Sequence, residues 1–222
     1  MKYVVVGGAG FIGSNIVDKL VEQNHEVIVI DNLSTGKMGN VNPKASIEYL
    51  DICNTEESSA MVEIMSGADS VFLLAAKARV QPSIENPVEY EVNNTIGTLN
   101  VLKCASDAGV RRVVYSASSS AYGDTDKLPS VESDPVNPLS PYGAQKYYGE
   151  VMCKMFSQVY DIETVSLRYF NIYGERQNVG GAYAMVIGIF VDQLLNGKPM
   201  TIRGDGEQRR DFTYVGDVVN AN

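Results

Sequence analysis

Short apolar runs and helical stripes take turns along this chain from Lys2 to Arg168. Lys2 to Gly7 is a valine-rich run closed by glycine, the pattern of a strand buried on both faces. Phe11 to Glu22 then sets Ile12, Ile16, Val17, Leu20 and Val21 along one helical stripe. Glu26 to Ile30 and Ile47 to Leu50 predict two more strands, stopped by Asp31 and Asp51. Thr55 to Met65 predicts a helix with Thr55 as its N-cap, and Ser70 to Ala76 a fourth strand. Pro87 to Ala108 reads as one long helix ended by Gly109. Arg112 to Ser116 is a fifth strand and Glu163 to Arg168 a sixth. Between them a helix runs from Ser140 to Tyr160, with Pro141 in its first turn.

Strand and helix in this alternation predict an α/β fold, a doubly wound parallel sheet with helices on both faces, over residues 1–175. Past Gly174 the pattern loosens. Tyr183 to Asn196 predicts a helix, Met200 to Arg203 and Phe212 to Val215 short strands, and Gly204-Asp205-Gly206 a turn. Asp217 reads as the N-cap of a helix that the chain leaves at one turn, too short to be stable alone. Residues 176–222 are therefore expected to be a small C-terminal lobe that looks truncated.

The chain has 222 residues, 45% hydrophobic and 20% charged, enough for one large core. Its net charge of −9 argues against non-specific nucleic-acid or anionic-membrane binding, while leaving room for a local basic pocket. Cys53, Cys104 and Cys153 form no CxxC and read as reduced core residues, so neither a disulfide framework nor a metal site is expected. His25, the single histidine, follows Asn24 in a predicted turn and reads as structural. With no leader pattern and no apolar run of spanning length, a cytoplasmic location is expected.

Four features carry candidate chemistry. Gly7-Gly8-Ala9-Gly10-Phe11-Ile12-Gly13 lies between the first strand and the first helix, where glycines let the backbone approach a diphosphate at a helix N-terminus. Asp31 closes the second strand and suits both hydroxyls of an adenosine ribose; it would repel a 2′-phosphate, which favours NAD over NADP. Ser116 to Ser120 follow the fifth strand, at the carboxyl edge where open α/β sheets place ligands. Tyr142 precedes Lys146 by four residues, so the two share a helix face and the ammonium would favour the ionised phenol. Each has a plainer reading: a generic tight turn, a chance acidic residue, a polar loop, a solvated helix face.

Taken together, these residues resemble the extended short-chain dehydrogenases, and within them nucleotide-sugar epimerases of the UDP-glucose 4-epimerase type. The resemblance runs the length of the chain through GGAGFIGS (7–14), DNLSTG (31–36), LAAK (74–77), NNTIGTLNVL (93–102), SSSAYG (118–123), SPYGAQK (140–146), RYFNIYGERQ (168–177) and GDGEQRRDFTYV (204–215). It implies a Rossmann domain followed by a substrate-binding lobe. It implies Tyr142 as base, Lys146 as its modulator, also bound to the nicotinamide ribose, and Ser118 as hydrogen-bond partner of the sugar hydroxyl. NAD would be lined by Gly7, Gly10, Phe11, Ile12, Gly13, Asp31, Asn32, Leu33, Ser34, Thr35, Gly36, Asp51, Ile52, Leu74, Ala75, Ala76, Lys77, Asn93, Ser116 and Phe170, together with Tyr142 and Lys146. Ser118, Ser119 and Tyr142 would meet the sugar, and Asn171 and Arg210 the diphosphate of a UDP-sugar; alternatively Arg210 is a surface residue beside Arg209.

Nucleotide-sugar 4,6-dehydratases resemble this chain but carry an Asp-Glu pair where it has Ser119 and Ser120, and UDP-glucuronate decarboxylases tend to carry a glutamate at the second position. Without a carboxyl group there is no proton donor for elimination, which favours redox-neutral inversion at C4. A decarboxylase, a dehydratase and a non-catalytic NAD-binding fragment are the alternatives. The run Gly181-Ala182-Tyr183-Ala184 with Val186-Ile187 resembles epimerases of N-acetylated UDP-sugars, and the helices at 87–108 and 140–160 imply a homodimer.

Overall fold

Val4, Val5 and Val6 have no solvent exposure, so the first strand must sit in the middle of a sheet covered on both faces. The computed structural model, which describes residues 1–125, 127–178, 185–202 and 204–222, places it there. β1 (Lys2–Val6), β2 (Glu26–Ile30), β3 (Ser46–Glu48), β4 (Ser70–Leu73), β5 (Arg112–Ser118) and β6 (Glu163–Tyr169) form one parallel sheet in the order β3-β2-β1-β4-β5-β6. This is the doubly wound α/β fold expected.

Strand alternation divides the core in two. Val5, Val29, Phe72 and Val114 face α1 (Phe11–Glu22) through Ile16, Val17 and Leu20. Val4, Val6, Leu73 and Val113 face the other layer, made of α2 (Ser58–Met65), α5 (Gly97–Asp107) and α6 (Pro141–Val159), through Met61, Met65, Val101, Leu102 and Phe156. Cys104 and Cys153 belong to this second core. Cys53 is half-buried and packs against this core from its edge. The His25 ring stands edge-on to Tyr3 at 5.0 Å.

The departures from the sequence reading have local causes. Thr55 opens a 3₁₀ turn before α2, but Asn54 is the cap, its side chain accepting from the Glu56 amide. The expected single helix over 87–108 is three segments: α4 (Pro87–Glu91), a π turn over Val92–Ile96, and α5. Before it stands α3 (Val80–Glu85), six residues that are too few to show a periodic stripe. The π turn has visible support. Asn93 and Asn94 Oδ1 both accept from the Lys77 amide, at 2.9 and 2.8 Å, and Asn94 Nδ2 donates to the Lys77 carbonyl and to Gln145 Oε1. An α-helix would not present two adjacent side chains to one amide.

Beyond β6, β7 (Ile172–Tyr173) pairs in parallel with β8 (Thr213–Tyr214). α7 (Val186–Leu195) lies between them in the chain; residues 179–184, where its predicted start falls, are outside the described residues. Met200 to Ile202 form no strand. The last helix, α8 (Val215–Ala221), begins at Val215, so Asp217 is a first-turn residue rather than the cap. It is held by tertiary contact: Val215 and Val218 are buried, and Val219 packs on the α1 core. No helix among the described residues is long and apolar enough to cross a membrane.

Candidate functional site

The crevice over the carboxyl ends of β1 and β4 is shaped by backbone contact. Gly7 takes φ +86°, and a Cβ there would lie 2.5 Å from the Ala75 nitrogen. A Cβ on Gly13 would lie 2.3 Å from the Gly7 carbonyl oxygen, so no side chain fits between turn and helix. Gly10 is the N-cap of α1 and no side chain caps that helix, which leaves its first amides, over Phe11 and Ile12, for a ligand.

Asp31 is buried at the end of β2. Its carboxylate accepts from the Ala9 amide at 3.0 Å and the Leu33 amide at 2.8 Å, with no cation paired to it among the described residues. Each oxygen keeps a free lone pair. Gly36 packs directly over it, since a Cβ there would come within 2.9 Å of Oδ1. Asn32 folds the same loop: its Oδ1 accepts from the Ser34 amide and its Nδ2 donates to Asp51, while Ser34 and Thr35 are exposed at the rim. Burial alone would raise the Asp51 carboxyl; the Cys53 amide and Asn32 outweigh it and hold it below the usual carboxylate range. Ile52 beside it is buried.

The opposite wall is the loop after β4. Leu74 and Ala75 both donate their amides to the Val6 carbonyl, which holds Leu74 to Lys77 against the Gly-rich turn. Ala76 stands in that loop, half-buried. Asn93 accepts from the Lys77 amide and reaches Cys53 Sγ at 3.5 Å, so the π turn ties this wall to the Asp51 loop. A buried Asp31 carboxylate without a cation and a turn that any Cβ would fill are what a dinucleotide needs: a ribose acceptor and a diphosphate cradle.

Deeper in the crevice, Ser140 caps α6 by accepting the Gly143 amide, and Ser83 Oγ accepts the Tyr142 amide at 3.1 Å. Ser118 Oγ accepts from both the Ser120 hydroxyl (2.8 Å) and the Ser120 amide (3.2 Å). Its own proton is thereby free to point at the Tyr142 phenol, on which the Ser118 side chain acts. Ser119, half-buried, opens the short 3₁₀ turn that follows. Burial pushes the Tyr142 phenol up; Ser118 and the Arg79 guanidinium pull it back, and the balance stays above the ordinary value.

Lys146 departs from expectation. Its ammonium donates to the Ser116 carbonyl at 2.7 Å and lies over the Tyr115 ring, 5.0 Å from the centroid. Burial lowers it to about 8. A deeply buried ammonium takes the nearest carbonyl, so the cation that bears on Tyr142 here is Arg79, which the sequence reading did not single out. A basic residue two positions after LAAK was the available signal. Ser83, fully buried under the Tyr142 amide, had none.

On the C-terminal side, Phe170 stands 6.1 Å from the Tyr122 ring. Asn171, at φ +32°, donates its side-chain amide to the Asp211 carbonyl, which brings the 210 segment back over the sheet edge. Arg210 is exposed, its guanidinium donating to the Arg209 carbonyl, with no acidic partner among the described residues. Gly181 to Ala184 lie outside the described residues.

A doubly wound sheet with a glycine cradle, a buried ribose-type acidic residue and a Ser-Tyr-Lys set at one sheet edge defines a dinucleotide-dependent enzyme class. Residues 3–222 match the model of the NAD dependent epimerase/dehydratase family, and the chain belongs to that family. A Methanocaldococcus jannaschii protein is 46% identical over 220 residues, 99% of this chain and 71% of that one. The UDP-glucose 4-epimerase of Mycolicibacterium smegmatis is 37% identical over 227 residues, 100% of this chain and 72% of that one. Among solved structures, the UDP-glucose 4-epimerase of Thermotoga maritima with UDP-glucose has TM-score 0.95 and 41% identity, covering 100% of this chain and 72% of that one. The UDP-N-acetylglucosamine 4-epimerase of Methanobrevibacter ruminantium in complex with UDP-N-acetylmuramic acid has TM-score 0.94 and 40% identity, covering 100% and 71%.

Proposed function

We propose that this chain catalyses NAD-dependent C4 epimerisation of a UDP-hexose. The observation that carries the reading is the Ser118-Tyr142 pair beside Lys146, with hydroxyls and no carboxyl at 119 and 120. NAD, held by the glycine turn, Asp31, the 32–36 loop, Asp51-Ile52, the 74–77 wall, Asn93 and Phe170, would supply the hydride acceptor and donor at C4. With the cationic nicotinamide of bound NAD favouring its ionised form, the Tyr142 oxygen would take the proton of the C4 hydroxyl and return it, and Ser118 would donate to the oxygen that carries the developing charge. Ser116 anchors Lys146 behind this pair. Ser120 is committed to Ser118, and neither 119 nor 120 carries a carboxyl group to move a proton at a neighbouring carbon, so the chemistry ends at inversion. Asn171 and Arg210 hold the UDP diphosphate, the guanidinium fork suiting phosphate oxygens. The relatives' names support the substrate class.

The test is incubation with UDP-glucose and UDP-N-acetylglucosamine, with products read by NMR. The expected product is the C4 epimer, and Tyr142→Phe should lower kcat by roughly 10²–10⁴. A 4-keto-6-deoxy sugar would point to a dehydratase, and a UDP-pentose from UDP-glucuronate to a decarboxylase. NAD binding without turnover of any UDP-sugar would leave a binding module.

The exposed surface supports a proposal for the assembly. Val88, Val92 and Ile96 are exposed along one stripe of the 87–108 segment, and Tyr147 and Val151 on the neighbouring α6. Two copies joined through these helices would bury both stripes as a four-helix contact, making a homodimer. We assign the protein to the cytoplasm, with no nucleic-acid or membrane partner, on its charge of −9 and the want of a spanning helix among the described residues.

A further inference from the structure

Arg79 stands apart from the other basic residues near the crevice. Its φ is +103°, a conformation that strains a non-glycine residue and is kept only where neighbours enforce it. The neighbours are identifiable. The Lys77 amide is clamped by Asn93 and Asn94, the Ala78 carbonyl accepts from Tyr90 at 2.9 Å, and Ser83, four residues on, is fixed to the Tyr142 amide. The segment is therefore fastened on both sides of Arg79 and seated against the first turn of α6 through Ser83, and the half-buried Arg79 is the cation whose charge bears on the Tyr142 phenol. Yet Arg79 forms no hydrogen bond or ion pair among the described residues. The carboxylates of this neighbourhood are engaged elsewhere: Glu89 by Lys77 at 2.5 Å, Glu85 by Gln81 at 3.1 Å.

We propose that Arg79 is a specificity residue of this site and that the sugar it admits carries a carboxylate beside the reacting carbinol. The inference rests on the epimerase reading, since that reading puts C4 at the Tyr142 oxygen. A group on C3 or C5 of the same ring then falls within a few ångströms of C4, on the side that the Arg79 segment borders through Ser83 and Tyr142. Closing such a crevice over a neutral hexose would strip water from a cation and give it only hydroxyls in return; a carboxylate matches the fork in charge and geometry. Two chemistries fit: a hexuronate, with its carboxylate at C6, and a carboxyethyl ether on O3. One structural neighbour is described in complex with a sugar nucleotide of the second kind.

The experiment compares UDP-glucose, UDP-glucuronate and UDP-N-acetylmuramate, for binding by calorimetry and for C4 inversion by NMR, in the wild type, Arg79→Gln and Arg79→Lys. One of the acidic substrates should exceed UDP-glucose in both readouts, and which one it is decides between C6 and O3. Arg79→Gln should lower kcat/KM for that substrate roughly 100-fold more than for UDP-glucose. Arg79→Lys, with charge but no fork, should fall between. Equal losses on all substrates, with a displaced pH profile, would mean that Arg79 serves Tyr142 alone and would overturn the proposal. So would wild-type preference for UDP-glucose in the binding arm, which needs no variant to fold. Should no UDP-sugar be inverted while Arg79-dependent binding of an acidic one persists, the epimerase reading fails and the recognition stands.

Discussion

The two ends of the chain set out their proposed ligand contacts by opposite means. At the N-terminal end the site is backbone: Gly7 and Gly13 leave no room for a Cβ, and Asp31 is fixed by two amides. At the C-terminal end it is side chain on a loosely packed frame: Arg210 is exposed, and α7 buries only Gly188 while Val191, Leu194 and Leu195 face solvent. The difference teaches where change is tolerated. A site made of backbone cannot adjust to a new atom, whereas one made of exposed side chains can be rewritten without disturbing the core.

Three measurements would break or sharpen this contrast. Gly13→Ala puts a methyl 2.3 Å from a carbonyl that β1 and α1 both hold in place. It should cost about 3 kcal/mol, lowering the thermal midpoint by roughly 6–12 °C for a chain of this size, and abolish NAD binding by calorimetry. Normal stability with NAD bound would show that the turn can yield.

Lys146 offers a test through pH. Its folded value is lowered to about 8 by burial, so the folded chain binds this proton less tightly than the unfolded chain does. The penalty for burying the charge is therefore present in full below about pH 8 and is relieved as pH rises toward the unfolded lysine value. Cys153, pushed up to about 12 by burial, works in the other direction, so the comparison is with Lys146→Met. Between pH 7 and 10 the wild type should gain about 2–3 kcal/mol on that variant in denaturant unfolding. A constant difference would mean the ammonium is not desolvated. The smallest effect is expected at the far end: Leu194→Ser, on a solvent-facing position, should change stability by less than about 0.5 kcal/mol, and a larger loss would show α7 to be packed.

The same contrast governs what was legible in the sequence. The Gly-rich turn, Asp31 and the six strands could be read because each is an apolar run or a local spacing next to one. Ser118, Tyr142 and Lys146 were legible as a set, but the direction of the Lys146 ammonium was not. It is decided by the Ser116 carbonyl and the Tyr115 ring, thirty or so positions away in sequence. Arg79 and Ser83 escaped for the same reason: their meaning lies in the Tyr142 helix, not in their own segment. Asp217 misled because a capping residue and a first-turn acidic residue look alike without the chain that precedes them.

The π turn at Val92–Ile96 also acts as a phase shifter. Taking one extra residue per turn, it rotates everything after it by about 100° relative to everything before. That lets one continuous rod do two jobs in sequence, offering Val88, Val92 and Ile96 outward and then sinking Val101, Leu102 and Ala105 into the core with no loop between. Deleting a single residue there would turn one half of the rod against the other, so that either the outer stripe or the core face would point the wrong way.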